Sequence, residues 1–341
     1  MGEQSGKVQT VQGLVEPGEL GHVQPHEHLL VNLLPGPFRD APGEPIRLET
    51  LGHLRRNWTS NPENLRLDSI EDAIDEMRRY RDAGGGTLVE ATCSDIGRDP
   101  RGLLRISQET GVHVVMGSGY YEAVYHPPEL ETAAEEAIAD RIAGDLLEGV
   151  DGSGVRSGII GEIGLGHPIK AAEEKVLRAA AAAQRKTGAA VLIHPPRDPD
   201  GPREALRIVS DAGGDLERVI MSHIDRTLFD FAPMRELATT GCYLEFDLFG
   251  QESSFYPIAP IDMPNDATRI AYLRALFDAG FGDRLLVSQD ICTKIHLTRY
   301  GGESYTHILE NVIPMMDRVG FGKEEIQKLC VENPARVLAI A

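Results

Sequence analysis

Apolar residues recur along the chain in two alternating spacings. Short aliphatic runs fall at His22–His28, Thr87–Thr92, His113–Tyr120, Gly158–Gly164, Ala190–Pro195, Val219–Asp225, Tyr243–Phe249 and Leu285–Asp290. Longer segments with helical spacing separate them, the pattern of repeated βα units. In SIEDAIDEMRRYRDAGGG, the residues Ile70, Ala73, Ile74 and Met77 share one helical face, and the glycines suit a C-terminal cap. EEKVLRAAAAAQRKTG has acids in its first turn, basic residues late, and Gly188 as its stop. The amphipathic stretch YTHILENVIPMMDRVG follows the last strand, and VENPARVLAIA closes the chain. Eight strands is the number a closed parallel barrel requires. The predicted fold is therefore α/β, a single (β/α)8 TIM barrel over residues 1–341. Two connections are long: 31–67, which holds the lone tryptophan Trp58, and 250–267, rich in proline and aromatics. Both follow strands, which puts them over the C-terminal mouth of the barrel, where such folds build their pockets.

Composition narrows the partners. With 341 residues and 41% hydrophobic content, one barrel with insertions accounts for the whole length. The formal net charge of −19, from 53 acidic and 34 basic residues, repels nucleic acid and anionic lipid. The expected partner is a small-molecule substrate, with a homodimer left open. No segment approaches the roughly 20 apolar residues that cross a bilayer. MGEQSGKVQTVQG has neither a basic leader nor an apolar run, so no secretory signal is expected. Cys93, Cys242, Cys292 and Cys330 are scattered, without disulfide-like spacing, which suits a reduced, cytoplasmic enzyme.

The candidate chemistry lies at the strand ends. His26 and His28 stand two apart on the first strand, on one face, where they can grip one ion together. Glu162 sits inside the apolar run IIGEIG, and a carboxylate there needs a partner or a metal to tolerate burial. His194, His223 and Asp290 end strands five, six and eight. Ligand-type side chains thus stand at five of eight strand ends on the catalytic face, which points to a metal site. Imidazole and carboxylate without thiolate favour Zn²⁺, with Mn²⁺, Co²⁺ or Fe²⁺ as alternatives. A single ion could not use all six ligands and keep a place for water, so two divalent ions are expected.

Several segments resemble the phosphotriesterase family of the amidohydrolase superfamily, and within it the phosphotriesterase-related proteins. They are GKVQTVQGLVEPGELG with HEHLL, GIIGEIG, VIMSHIDRT, GCYLEFDLFG, SQDICTKIHLTRYGG, and YTHILENVIP with ENPARVL. The resemblance implies that His26 and His28 bind one metal together with Asp290, that His194 and His223 bind the other, and that Glu162 bridges them. Many members of the wider family carry a carboxylated lysine at the bridging position; the glutamate is shorter and needs no carbon dioxide to assemble. The implied reaction uses a metal-bridging hydroxide to attack a carbonyl or phosphoryl centre, with Asp290 as the catalytic proton carrier. Tyr120 or Tyr121 would donate to the polarised oxygen or form an aromatic wall. Arg226, Lys294 and Arg299, in the loops after strands six and eight, would bind an anionic group on the substrate or make ion pairs with the many acids.

The expected substrate is a carboxylic ester or lactone, one bearing an anionic group. An N-acyl amide (an N-acyl amino acid or amino sulfonate) is the alternative, with phosphotriester cleavage as a side activity. A non-catalytic barrel that only binds metal or ligand is the contrasting class. Glu90 and Asp95 are candidates for orienting a ligand histidine. Asp225 is either a second proton carrier or the ion-pair partner of Arg226. The other histidines, His22, His53, His113, His126, His167, His296 and His307, read as structural or solvent-exposed.

Overall fold

The computed structural model describes residues 4–253 and 255–341. Eight strands, β1 to β8, form the barrel: His22–Glu27, Gly85–Glu90, His113–Ser118, Ile159–Gly164, Val191–His194, Val219–Met221, Tyr243–Phe246 and Leu285–Val287. Each pairs in parallel with its sequence neighbour, from β1 through β8. The ring is closed by Asp290 N–H donating to His26 O and His28 N–H donating to Ile291 O, both at 3.2 Å.

Both faces of these strands are buried, as parallel barrel strands require. Val23, Val89, Val115, Ile159, Leu192, Ile220 and Leu286 fill the interior, joined from below by Val8 of the N-terminal hairpin and by Val337 and Leu338 of the last helix. Their neighbours Ile193, Met221, Leu285 and Val287 point outward into the layer between sheet and helices. This period of two decides which side chains reach the catalytic end. His194 lies two residues beyond inward-facing Leu192, Glu245 and Asp247 two and four beyond Tyr243, and Asp290 four beyond Leu286.

The predicted helices are present at Ile70–Asp82, capped by Ser69, and at Ala171–Thr187, ended by Gly188 with φ 73°. The two C-terminal segments differ from simple α-helices. Wide π turns at Ile308–Val312 and Lys328–Glu332 each precede a proline, Pro314 and Pro334. A proline has no N–H to donate, and its ring crowds the carbonyl four residues back, so a widened turn accommodates it.

The strands are shorter at their C-terminal ends than the apolar pattern predicts. His223 and Asp290 leave the ladder in the left-handed region, with φ 53° and 51°. His223 N–H is satisfied by the Asp247 carboxylate rather than by a neighbouring strand. Loop 31–67 is cinched at its base by Val31–Asn32 pairing with Arg66–Leu67. Its Trp58 ring tilts against Tyr256 of loop 250–267, centroids 6.3 Å apart, so the two long loops meet over the mouth. No helix among the described residues is long and apolar enough to cross a membrane.

Candidate metal centre

Six side chains from five strand ends converge at the top of the barrel. Nε2 of His28 lies 3.1 Å from Asp290 Oδ1 and 3.3 Å from Glu162 Oε1. Nε2 of His26 lies 3.7 Å from Asp290 Oδ1 and 3.5 Å from Glu162 Oε2. On the other side, Glu162 Oε2 is 2.9 Å from His194 Nδ1 and 3.7 Å from His223 Nε2. Glu162 Oε1 thus faces His28, while Oε2 faces His26, His194 and His223, so the carboxylate touches both sides of the cluster. Atoms bound at about 2.0–2.1 Å to one tetrahedral ion lie roughly 3.4 Å apart, which is the spacing around His26, His28, Asp290 and Glu162. His26 Nε2 is fully buried and has no hydrogen-bond partner among the described residues. A lone buried nitrogen of this kind fits a metal ligand.

The outer hydrogen bonds set the tautomers that ligation needs. His28 Nδ1 donates to Thr92 Oγ1 at 2.9 Å, and Thr92 Oγ1 donates to Glu90 at 2.6 Å. Glu90 is thereby linked to His28 through Thr92, while its Oε1 also accepts from Leu29 N–H. His223 Nδ1 donates to Asp247 Oδ1 at 2.9 Å, and His26 Nδ1 lies 3.1 Å from Asp247 Oδ2 and 3.3 Å from Glu245 Oε2. Each arrangement leaves Nε2 with its lone pair turned inward, the usual carboxylate–histidine–metal logic. Asp95 instead accepts from Tyr121 N–H.

Electrostatics agree with a cation-binding centre. Burial disfavours charge on His26 and His28, yet Glu162, Asp247 and Glu245 hold His26 well above the ordinary histidine range. Asp290 and Glu162 push His28 up to about 10 against the same burial. Burial raises and His223 and His26 lower the Asp247 carboxyl, and the histidines prevail. The carboxylates at this point demand positive charge, from protons or from ions.

Glu245 and Asp247 were not singled out in the sequence, although both are acids on alternate positions of an apolar strand, the signal that identifies Glu162. Glu27 was also missed. Its carboxylate accepts from Gln289 N–H, Ile291 N–H and Ser288 Oγ, and so shapes the turn that presents Asp290. Burial pushes its carboxyl up to about 8.

The cavity over this cluster is lined by Tyr121, Arg197, Arg226, Tyr256 and His296, among others. Tyr121 Oη stands 3.2 Å from His194 Nδ1, and burial first, then Glu162, keeps it a phenol. Tyr120 is absent from the cavity: it packs with Leu130 and Ile138 behind the barrel wall. Of Arg226, Lys294 and Arg299, the three cations offered for an anionic group, Arg226 alone lines the cavity. Lys294 is drawn to Glu63 at 2.5 Å and Asp68 at 3.2 Å, and Arg299, largely exposed, pairs with Asp72 at 2.7 Å. Acids of loop 31–67 and the following helix claim both side chains. Arg197, missed in the sequence, takes their place in the cavity and pairs with Glu122 at 2.8 Å.

Arg226 is 2% exposed, and among the described residues no carboxylate oxygen lies within 4.0 Å of it. Asp225 turns to Arg269 Nε at 2.7 Å, so the ion pair expected between Asp225 and Arg226 is not the one formed. His296, expected to be structural or exposed, lines the cavity with Nδ1 2.9 Å from Glu303.

An α/β barrel with this two-group His, Glu and Asp cluster at its C-terminal mouth defines a metal-dependent hydrolase with a binuclear divalent-metal site. The phosphotriesterase family model matches residues 6–338, and the chain belongs to that family. It is 43% identical over 346 residues to the N-acetyltaurine hydrolase of Danio rerio, spanning 99% of each chain. Among solved structures, a resiniferatoxin-binding protein from Rhodobacter sphaeroides superposes with a TM-score of 0.93 at 37% identity, covering 100% of this chain and 99% of that one. A lactonase from Listeria monocytogenes superposes with a TM-score of 0.82 at 26% identity, covering 98% and 99%.

Proposed function

We propose that the protein hydrolyses the amide bond of a small N-acylated amine that carries an anionic end, an N-acyl amino sulfonate or N-acyl amino acid. The observation that carries this reading is Arg226, a buried cation in the cavity wall with no carboxylate partner among the described residues. Leaving a charge buried and unpaired costs several kcal/mol, so the missing anion is expected from the ligand. The likeness to N-acetyltaurine hydrolases over 99% of both chains supports an amide over the ester or lactone that the sequence suggests first. The lactonase likeness is at 26% identity and supports the carbonyl chemistry the two readings share. An uncharged phosphotriester would leave Arg226 unanswered and fits least.

In this reading His26, His28 and Asp290 would hold one ion, His194 and His223 the other, with Glu162 shared between them. The donor set favours Zn²⁺, with Mn²⁺, Co²⁺ and Fe²⁺ as alternatives. When bound, the ions would supply Lewis acidity that activates water and polarises the acyl carbonyl. The chain's own groups do the rest. The Asp290 carboxylate, only partly buried, takes the proton of the attacking water and delivers it to the departing amine nitrogen, since an amine leaves an amide only when protonated. The Tyr121 hydroxyl stands at the His194 side of the cavity to donate to the acyl oxygen. Arg226 and Arg197 hold the anionic end, while Trp58 and Tyr256 close the mouth and limit water. Four free cysteines fit a reducing compartment, and we place the enzyme in the cytoplasm.

The test is a panel of N-acetyltaurine, N-acetyl amino acids, a lactone and an aryl phosphotriester, run before and after chelation and metal restoration. Chelator-sensitive turnover of the anionic amides is expected to exceed the rest. Faster cleavage of the lactone or the triester would overturn the amide reading.

A further inference from the structure

An N-acyl amide brings one hydrogen-bond donor to the scissile bond, its N–H, and an ester or lactone brings none there. The cavity holds few groups to receive it. Arg197 and Arg226 carry donors and no acceptor, and His28, Glu162, His194 and Asp290 belong to the metal cluster. His296, also in the cavity wall, has a lone pair to offer. Its Nδ1 lies 2.9 Å from Glu303 Oε2, and its Nε2 has no hydrogen-bond partner among the described residues. Burial works against charge on Glu303, yet the bond to His296 holds its carboxyl below the usual carboxylate range. A carboxylate only accepts, so Nδ1 carries the proton, and a neutral ring then presents an acceptor at Nε2. The position of the ring is built into the turn that follows. Ser304 N–H donates to His296 O at 2.9 Å, a Cβ on Gly302 would collide with the His296 backbone, and Gly250, at φ 86°, packs against Glu303. Thr293 and Gln251 also line the cavity. Thr293 Oγ1, however, is fully buried, and the Gln251 side chain is tied by its Nε2 to Gln289 O and Asp290 O at 2.8 and 3.0 Å.

We propose that His296, held by Glu303, accepts the N–H of the scissile amide at Nε2 and so makes the site read an amide in place of an ester or lactone. This rests on the amide reading above and names the residue that enforces it. The contact acts on the reaction as well as on binding. As water adds to the carbonyl carbon, the nitrogen loses its conjugation and gains a lone pair. Asp290 carries the proton of the attacking water to that lone pair, the C–N bond breaks, and the amine departs with its own hydrogen and the delivered one. An acceptor fixed on the N–H leaves the lone pair on the other side of the nitrogen, free for the proton. An ester oxygen has no hydrogen to be held and gains nothing from His296.

The experiment measures kcat and KM of the metal-loaded enzyme on N-acetyltaurine and on 2-acetoxyethanesulfonate, which keeps the acetyl and sulfonate groups and replaces the N–H by oxygen. In His296→Leu, kcat/KM for the amide is expected to fall about 10- to 100-fold while that for the ester changes by about twofold at most, the span of one lost hydrogen bond. His296→Gln, whose side-chain carbonyl can accept, should recover part of the amide rate. Glu303→Ala frees the ring and should give a smaller loss, again on the amide alone. Thermal melting and metal content identify any variant that is misfolded or has lost its ions, and the other two then decide. Equal losses on both substrates would make His296 a structural residue and overturn the proposal. So would an amide rate unchanged in His296→Leu, or an amide-selective loss found in Gln251→Leu instead. A wild type that cleaves the ester and not the amide ends the amide reading and this contact with it. Intact amide turnover without a selective loss in the His296 variants ends the contact alone.

Discussion

Two arginines are buried near Asp225, and they are treated in opposite ways. Arg269, fully buried on the helix Asp266–Asp278, binds Asp225 at 2.7 Å and Asp266 at 2.9 Å and lies over the Phe249 ring. Arg226, at 2% exposure, has as its hydrogen-bond partners among the described residues a histidine, a carbonyl and a hydroxyl, and it faces the cavity. Burial and the nearby Arg197 both press against its charge. A buried cation that comes with its own carboxylates is part of the scaffold. One that comes without them is prepared for something that arrives later.

The largest effect should come from the scaffold side. Arg269→Met strips Asp225 and Asp266 of their shared cation and is expected to cost about 3–5 kcal/mol in urea denaturation. A loss under about 1 kcal/mol would erase the contrast between the two arginines. The groups behind the metal ligands should respond next. Asp247→Asn weakens the hold on both His26 and His223, so chelator competition should register a metal affinity lower by about 10- to 100-fold. An unchanged affinity would mean that the imidazoles are positioned by packing alone.

Arg226→Met probes the other arm of the comparison. Removing a buried charge that has no partner relieves a penalty, so stability should rise or change by less than about 1 kcal/mol. Unfolding comparable to that of the Arg269 variant would make Arg226 a structural residue after all. The smallest effects belong to Lys294→Ala and Arg299→Ala. Both residues are paired with acids away from the cavity, and KM for an anionic amide should stay within about twofold of wild type in steady-state assays, as expected of rim ion pairs. A tenfold rise in either variant would return that residue to the substrate site.

The barrel was legible because its strands are buried on both faces and read as apolar runs, and because five of the eight end in residues too polar for their surroundings. His26, His28, Glu162, His194, His223 and Asp290 stood out on that ground, and they are the residues the fold brings together. Pairing was not legible. Whether Lys294 or Arg299 faces a ligand depends on Glu63, Asp68 and Asp72, which are distant in sequence and brought near only by how loop 31–67 folds back. The choice between Tyr120 and Tyr121 turned on the backbone twist just beyond β3, which a strand pattern of period two does not resolve. Arg197 was hidden because it follows the proline pair after His194, outside any recognisable run. Glu245 and Asp247 could have been found, since the argument applied to Glu162 applies equally to two acids in YLEFD.

The most direct test of the account compares kcat/KM for N-acetyltaurine with that for its uncharged methyl sulfone analogue, in the two-metal enzyme and in Arg226→Met. A charge-assisted contact is worth about 1.5–3 kcal/mol, or roughly 10- to 150-fold. The wild type should favour the sulfonate by a factor in that range, and the variant should lose most of the preference while cleaving the sulfone as before. Equal rates on both amides in the wild type, or a preference that persists in Arg226→Met, would contradict the assignment of this arginine to the substrate's anion.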